Sequence, residues 1–219
     1  MTLTNLVLSG GIFHPFDETS ARIAAHLETL GLKSEILPVR EGLARLKTAR
    51  FDLLIVNALA FTMTQHEKYA SLRASHAHAI TEVEKTTIHA HMATGGMLLG
   101  LHTAAICFDD WPEWNDYLGV TWRWGTSHHP PPCPVHVTAD TPFDTVDELY
   151  CDMTLAPSAE VLATATCDTI PTPQPVLVRH GNATYLALGH DGPACNNPGY
   201  LRLLTQAAQS LMSPRESCA

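Results

Sequence analysis

Four strands are predicted in the first half of the chain, three of them from short, continuous apolar runs that are typical of strands buried on both faces. They cover residues 5–9, 34–39, 51–57 and 97–101. Between them, Ile23, Leu27 and Leu30 form one apolar helical stripe that ends at Gly31, and residues 42–49 predict a short helix. Residues 65–93 contain neither glycine nor proline, which predicts one long helix. This alternation predicts parallel strands joined by right-handed crossovers.

The second half predicts shorter strands and a closing helix. The strands fall at residues 135–138, 161–166, 176–179 and 184–188, and the helix covers residues 200–212. No linker or internal repeat separates the two halves. We therefore expect a single α/β domain over residues 1–212, followed by a frayed tail at 213–219. The expected architecture is a three-layer, doubly wound fold around a mainly parallel sheet.

The composition and net charge limit the kinds of ligand that the protein is expected to bind. The chain of 219 residues has 45% hydrophobic and 16% charged residues, with a net charge of −9. An acidic chain without a basic cluster is a poor surface for nucleic acid or an anionic membrane. The sequence opens on a strand rather than a signal peptide, and its six scattered cysteines suit reduced thiols. We expect a cytoplasmic protein that binds a small molecule, with self-association left open.

Three of the predicted strands run directly into loops that carry histidine. His14 follows the first strand, His102 follows the fourth, and His190 follows the strand predicted at 184–188. Open parallel sheets bind ligands outside the carboxyl ends of their strands. The three side chains are therefore expected to surround one pocket.

Five motifs are spread along nearly the whole chain. They are Gly10-Gly11-x-x-His14, Gly95-Gly96-Met97-Leu98-Leu99-Gly100-Leu101-His102-Thr103-Ala104, Trp114-x-x-Tyr117 with the nearby His128/His129, Asp147-Glu148-Leu149-Tyr150, and Leu188-Gly189-His190-Asp191. In these motifs and in their order the chain resembles the ThuA-like (trehalose utilisation) family. The resemblance implies a fold like class I glutamine amidotransferases and flavodoxins. It also implies a role in bacterial disaccharide or keto-sugar catabolism.

The chain departs from the amidotransferases at the position of their nucleophile. Those enzymes carry cysteine on the sharp turn after a strand, where this sequence reads Gly100-Leu101-His102-Thr103-Ala104. Cys107 comes five residues later, more than one helical turn away. We therefore predict that the protein does not hydrolyse glutamine and that none of its cysteines is catalytic.

His102, His190 and His14 are the candidate catalytic residues. Each could act as an acid or base, ligate a metal, or donate a hydrogen bond to a sugar hydroxyl. The alternative for His102 is a side chain that only ties the turn to the backbone. Three neutral imidazoles suit zinc, but no local signature such as H-E-x-x-H is present, so metal binding stays open.

Further residues are candidates for binding the substrate. His128 and His129 are adjacent, so at most one is expected to enter the pocket. Glu148 and Asp191 could supply carboxylates, although the acidic pair at 147–148 also suits a solvated turn. Trp114 and Tyr117 could stack on a sugar ring, or could simply pack the end of the sheet.

The sequence favours an enzyme that moves a proton next to a sugar carbonyl, with histidine as acid or base. Two alternatives stay open. One is hydrolysis by water that a histidine or a metal activates. The other is a sugar-binding or interaction module without catalytic activity.

Overall fold

A nine-stranded sheet organises the molecule. The computed structural model describes residues 3–212. The sheet order is β2-β1-β3-β4-β11-β10-β9-β6-β7, and β5 pairs separately with β8. The strands are β1 Leu3–Gly10, β2 Leu32–Pro38, β3 Leu53–Ala58, β4 Met97–Leu101, β5 Val120–Thr121, β6 Cys133–Thr138, β7 Phe143–Asp147, β8 Thr154–Leu155, β9 Glu160–Cys167, β10 Ile170–His180 and β11 Ala183–Leu186.

The five strands β2-β1-β3-β4-β11 are parallel. With β11 as the fifth parallel strand, their order is 2-1-3-4-5, the order of flavodoxin-like folds. The prediction of a doubly wound, flavodoxin-like sheet is therefore confirmed. Strand β4 has the bounds that the sequence predicted, because glycines at 95 and 96 separate it from the preceding helix.

The remaining four strands extend the sheet by antiparallel pairing. Strand β7 was not predicted, because its five residues alternate in burial and carry no apolar run. Prolines at 171, 173 and 175 lie within β10, which pairs irregularly with β9 around them. A strand interrupted in this way tolerates residues that cannot donate a backbone hydrogen bond.

Helices cover both faces of the parallel strands. They are α1 Phe16–Glu28, α2 Val39–Thr48, α3 Ala70–His76, α4 Glu82–Ala93, α5 Glu113–Leu118, α6 Gly192–Asn196 and α7 Pro198–Met212. On β1, Leu8 faces Gly42 of α2, whereas the Ser9 hydroxyl accepts a hydrogen bond from Ser20 of α1. Consecutive strand residues point to opposite faces, so α1 and α2 lie in different layers. Helices therefore lie on both sides of the sheet, and the predicted three-layer arrangement is confirmed.

The prediction of one helix over residues 65–93 is wrong. A short 3₁₀ turn leads into α3, which ends at His76, and α4 begins only at Glu82. Between them, the His78 amide donates to the Phe61 carbonyl. Thr81 and Glu84 then form a reciprocal capping box that starts α4. The Thr-x-x-Glu spacing at 81–84 was the sequence signal for this second start.

Within residues 3–212, no helix combines the length and apolar character needed to cross a membrane. The tail predicted at 213–219 lies outside the described residues.

Candidate functional site

Four loops bring histidine and glutamate together at the carboxyl edge of the parallel strands. His14 lies between β1 and α1, His102 follows β4 directly, and His190 follows β11. The fourth residue, Glu148, follows β7 and reaches the same point. We refer to His14, His102, Glu148 and His190 as the four-residue cluster. The structure thus places the three predicted histidines together.

The distances between the polar atoms of this cluster are short. His102 Nε2 lies 3.1 Å from His14 Nε2 and 3.3 Å from Glu148 Oε2. His14 Nε2 is 3.7 Å from the same carboxylate oxygen, and His190 Nδ1 is 3.4 Å from the other one. One ligand atom from each residue lies within 4.8 Å of all the others. Ligand atoms at 2.0–2.1 Å around a tetrahedral zinc are separated by about 3.3 Å, so the cluster has the size of a metal site.

Hydrogen bonds to the backbone orient two of the imidazoles. His102 Nδ1 lies 2.7 Å from the Ala187 carbonyl oxygen and His14 Nδ1 lies 3.4 Å from that of Ile12, so each Nδ1–H donates outward. The two Nε2 atoms then face each other across 3.1 Å, and in the neutral rings each of them would carry a lone pair. Ligating histidines are held in this way, with the second nitrogen bonded to a carbonyl. The arrangement therefore favours a cation between the two rings.

Two buried atoms of the cluster lack hydrogen-bond partners among the described residues. Glu148 Oε2 lies at ion-pair distance from His102, and His190 Nδ1 lies at ion-pair distance from Glu148. Neither contact has the geometry of a hydrogen bond. A buried polar atom without a partner costs about 1–3 kcal/mol. A divalent cation that accepts both lone pairs would remove this cost.

The electrostatics of the cluster keep its carboxylate charged. Burial alone would raise the pKa of Glu148, but the imidazoles of His102, His14 and His190 outweigh burial and hold that pKa well below its usual range. Burial lowers the pKa of His14, which favours the neutral ring. The Glu148 carboxylate raises the pKa of His190. An anion among imidazoles is the donor set that zinc prefers.

Asp147 binds the backbone of the two segments that carry Glu148 and His190. Its side chain is 1% exposed, and its two oxygens accept hydrogen bonds from the amides of Glu148, Gly189 and His190 at 2.8, 2.8 and 3.1 Å. These contacts join the end of β7 to the loop that carries His190. The interpretation of residues 147–148 as a solvated turn is therefore wrong. Sequence reasoning missed this role because the carboxylate binds backbone amides, which leave no motif.

His102 also differs from its predicted setting. We expected its ring to border a pocket with His14 and His190, but the residue is only 2% exposed. Its φ of +45° marks a left-handed turn directly after β4. The Tyr185 hydroxyl donates to its carbonyl oxygen, and Tyr150 Oη lies 3.3 Å from its Nε2. The side chain is therefore a packed part of the turn as well as a member of the cluster.

The adjacent histidines have different neighbours. His129 Nδ1 lies 3.5 Å from Glu148 Oε1, while His128 Nδ1 lies 3.5 Å from an Asp152 oxygen. His129 therefore borders the four-residue cluster and His128 does not. Both residues line a cavity of about 770 Å³ that adjoins the cluster.

Two predicted binding residues, Trp114 and Tyr117, lie away from the cluster, and the third, Asp191, directly follows His190. Trp114 is fully buried and donates to the Ala104 carbonyl, and Tyr117 bonds His89 through its hydroxyl. Asp191 accepts from the Ala194 amide and caps α6. The first two pack α5 against its surroundings, so in this structure neither can stack on a ligand beside the cluster. Aromatic spacing alone did not distinguish Trp114 from Trp122 and Trp124, which do line the cavity.

Cys107 has no access to the cluster. Its thiol donates to the Ala58 carbonyl, and burial raises its pKa to about 12. A thiol in this state is a poor nucleophile, in keeping with the prediction that it has no catalytic role.

Comparison with known proteins agrees with this fold. The model of the ThuA family, described as trehalose utilisation, matches residues 14–209. A ThuA-like protein from Parabacteroides merdae ATCC 43184 has a similar structure, with a TM-score of 0.71, 14% identity, and coverage of 97% of this chain and 91% of its own. One from Bacteroides uniformis ATCC 8492 has a TM-score of 0.71 and 18% identity, covering 99% and 94%. A comparison with curated protein sequences finds no match.

The fold and the family match together define the class of protein. The mixed α/β architecture is shared with both ThuA-like structures over nearly the whole chain. This chain belongs to the ThuA family.

Proposed function

We propose that the protein is a metal-dependent enzyme of sugar catabolism that moves a proton next to the carbonyl of a keto-sugar or disaccharide derivative. The observation that carries this proposal is the four-residue cluster, whose donor atoms converge within 4.8 Å and include two unpartnered buried atoms. Three imidazoles and one carboxylate suit zinc. The family's description as trehalose utilisation supports a sugar as substrate.

In this proposal the three histidines and Glu148 hold the metal. A divalent ion held by these four residues would have to accept a fifth ligand, and it would then polarise a carbonyl or activate water. Imidazoles that ligate a metal cannot also shuttle protons, so acid–base work falls to groups beside the cluster. This assignment moves His14, His102 and His190 from acid–base residues to ligands.

Two side chains next to the cluster are placed for proton transfer and hydrogen bonding. His129 lies 3.5 Å from Glu148 and lines the cavity, so its imidazole can accept a proton from a bound sugar and return it. Tyr150 also lines the cavity, and burial raises its pKa well above the usual value. Its neutral hydroxyl is a hydrogen-bond donor for a carbonyl oxygen.

Proton exchange in heavy water tests the proposal. Metal-free and zinc-loaded protein is incubated in D2O with keto derivatives of glucose and trehalose, and NMR follows deuterium at the carbon next to the carbonyl. We expect exchange only with bound metal, and its loss in Glu148→Gln. Glu160→Gln is the matched control, because Glu160 is exposed at the start of β9, and it should retain exchange.

Exchange that is unaffected by metal removal would contradict the metal dependence. Release of free sugar carrying oxygen from water, without deuterium at carbon, would contradict the proton-transfer step and support hydrolysis. Absence of any reaction with these keto-sugars would contradict the assignment of substrate.

A further inference from the structure

A cavity of about 770 Å³ adjoins the four-residue cluster. His14 and Glu148 line it at the cluster, and aromatic side chains line it elsewhere. Phe61 stacks on Trp124 with ring centroids 5.7 Å apart and 19° between the planes, and Tyr69 packs edge-on against both. Together with Phe13 we call these residues the aromatic wall. A cavity of this size holds a ligand larger than a single sugar ring.

Two side chains of the aromatic wall are exposed to solvent, and one of them belongs to a residue with a strained backbone. Phe13 is 63% exposed and Trp124 is 38% exposed. Phe13 also adopts a φ of +72°, a left-handed conformation that bulky side chains rarely take. It directly precedes His14, so the strained turn places an aromatic ring beside a residue of the cluster. Strain and exposed aromatic surface together are typical of a binding site.

Polar atoms around the same cavity indicate a ligand with hydroxyl groups. The exposed side chains of His66, His128 and His129 line the cavity. An imidazole ring offers a hydrogen-bond donor and, when neutral, an acceptor, so each of these rings can pair with a hydroxyl group.

The charges favour a neutral ligand. Within the described residues no arginine lines this cavity. The Lys68 ammonium, which does line it, lies 4.9 Å from the centre of the Tyr69 ring. The lining therefore lacks the guanidinium groups that recognise phosphate or carboxylate in a bidentate manner.

We propose that the aromatic wall is a subsite for the second ring of a neutral disaccharide whose first ring reaches the four-residue cluster. The apolar C–H face of a pyranose packs on a flat ring such as Trp124, while its edge hydroxyls pair with polar atoms of the lining. The inference rests on the proposed function for the reacting ring. In this inference the aromatic wall is the part of the protein that makes it bind a disaccharide more tightly than a monosaccharide.

Calorimetric titration of the full chain with methyl α-glucoside, trehalose, maltose and cellobiose tests this assignment. We expect at least one disaccharide to bind about tenfold more tightly than the methyl glucoside. Trp124→Ala should abolish this difference without weakening the monosaccharide. Trp124→Phe, which keeps a flat ring, should retain most of the difference.

Phe13→Ala gives a second test that does not depend on core packing, because Phe13 is mostly exposed. It should also reduce the preference for the disaccharide, with a melting temperature close to that of the wild type. Equal binding of all four sugars, or a preference that survives both alanine variants, would overturn the inference. Binding is measured without turnover, so a protein that binds no zinc but keeps a Trp124-dependent preference would contradict only the proposed function.

Discussion

At the scale of single residues, His102 shows how one side chain combines two roles. Its position after β4 was readable from the sequence, because a buried apolar run ends there. Its burial was not, since that depends on Ala187 and Tyr150, which lie 85 and 48 residues away along the chain. Contacts between distant segments leave no local pattern in a single sequence.

We predict that His102→Ala destabilises the metal-free protein by about 2–4 kcal/mol, because it leaves a cavity and an unpaired Ala187 carbonyl. Urea unfolding in the presence of a chelator measures this loss without any contribution from bound metal. A loss below about 1 kcal/mol would show that the ring makes little packing contribution and would contradict this prediction.

At the scale of elements, Asp147 joins β7 to the loop after β11. The helices and parallel strands that form this scaffold were largely predictable, because they carry continuous apolar runs or amphipathic stripes. Strand β7 was not, because Phe143–Asp147 is short and contains two aspartates. Glu148 follows this strand, so the hydrophobic pattern of the sequence could not place it in the cluster.

Asp147→Asn tests the importance of this connection. An amide offers one acceptor oxygen, whereas the carboxylate accepts from three backbone amides. We expect zinc affinity to fall about 10–100-fold, because the support of His190 and Glu148 is lost. Competition with a chromogenic chelator measures the affinity, with Asp168→Asn, at an exposed carboxylate in the turn between β9 and β10, as the control. Unchanged zinc affinity in a folded Asp147→Asn protein would rule out this supporting role.

The C-terminal end of α4 carries a different titratable group. His91 is buried, its ring packs against Gly96, and its Nε2 lies 2.9 Å from the Met97 carbonyl oxygen. Burial lowers the pKa of His91 below 6.5. Between the folded and unfolded pKa values the unfolded chain binds more protons, so stability is full above about pH 6.5 and falls as the pH falls.

His91→Gln should therefore lose less stability than the wild type between pH 7.5 and 5.5. The difference is limited to about 1.4 kcal/mol per pH unit for one group. Urea unfolding at several pH values gives both curves, and the other histidines contribute equally to each. Parallel curves would show that His91 titrates alike in the folded and unfolded chains.

At the scale of the whole molecule, the five cysteines within residues 3–212 are poorly suited to act as nucleophiles. Burial raises the pKa of Cys107 and Cys195 to about 12, and that of Cys133 and Cys151 to about 11. Cys167 differs, since hydrogen bonds with Thr169 and Cys133 outweigh burial and lower its pKa, but it is 3% exposed.

A Cys218→Ser protein, which keeps only these five thiols, should accordingly react slowly with thiol reagents, and Cys107→Ser should keep full deuterium exchange on keto-sugars. A colorimetric thiol assay with and without denaturant checks the first expectation. Activity that disappears both on alkylation and in Cys107→Ser would contradict it.

The whole fold was easier to predict than the site. Alternating strands and helices define the parallel sheet, and the family motifs mark His14, His102 and His190 at its carboxyl edge. Predicting the aromatics beside the cluster required knowing how the 119–129 segment folds over the sheet. Trp114 and Trp124 are ten residues apart and equally aromatic, yet only Trp124 lines the cavity.

The central claim is that the four-residue cluster binds a divalent metal, and zinc X-ray absorption spectroscopy of the reconstituted protein tests it most directly. The account predicts one zinc per chain, with only nitrogen and oxygen neighbours at about 2.0–2.1 Å and the outer-shell scattering of three imidazoles. Glu148→Gln should lose this stoichiometric zinc. A sulfur shell at about 2.3 Å, or a protein that binds no zinc, would contradict the account.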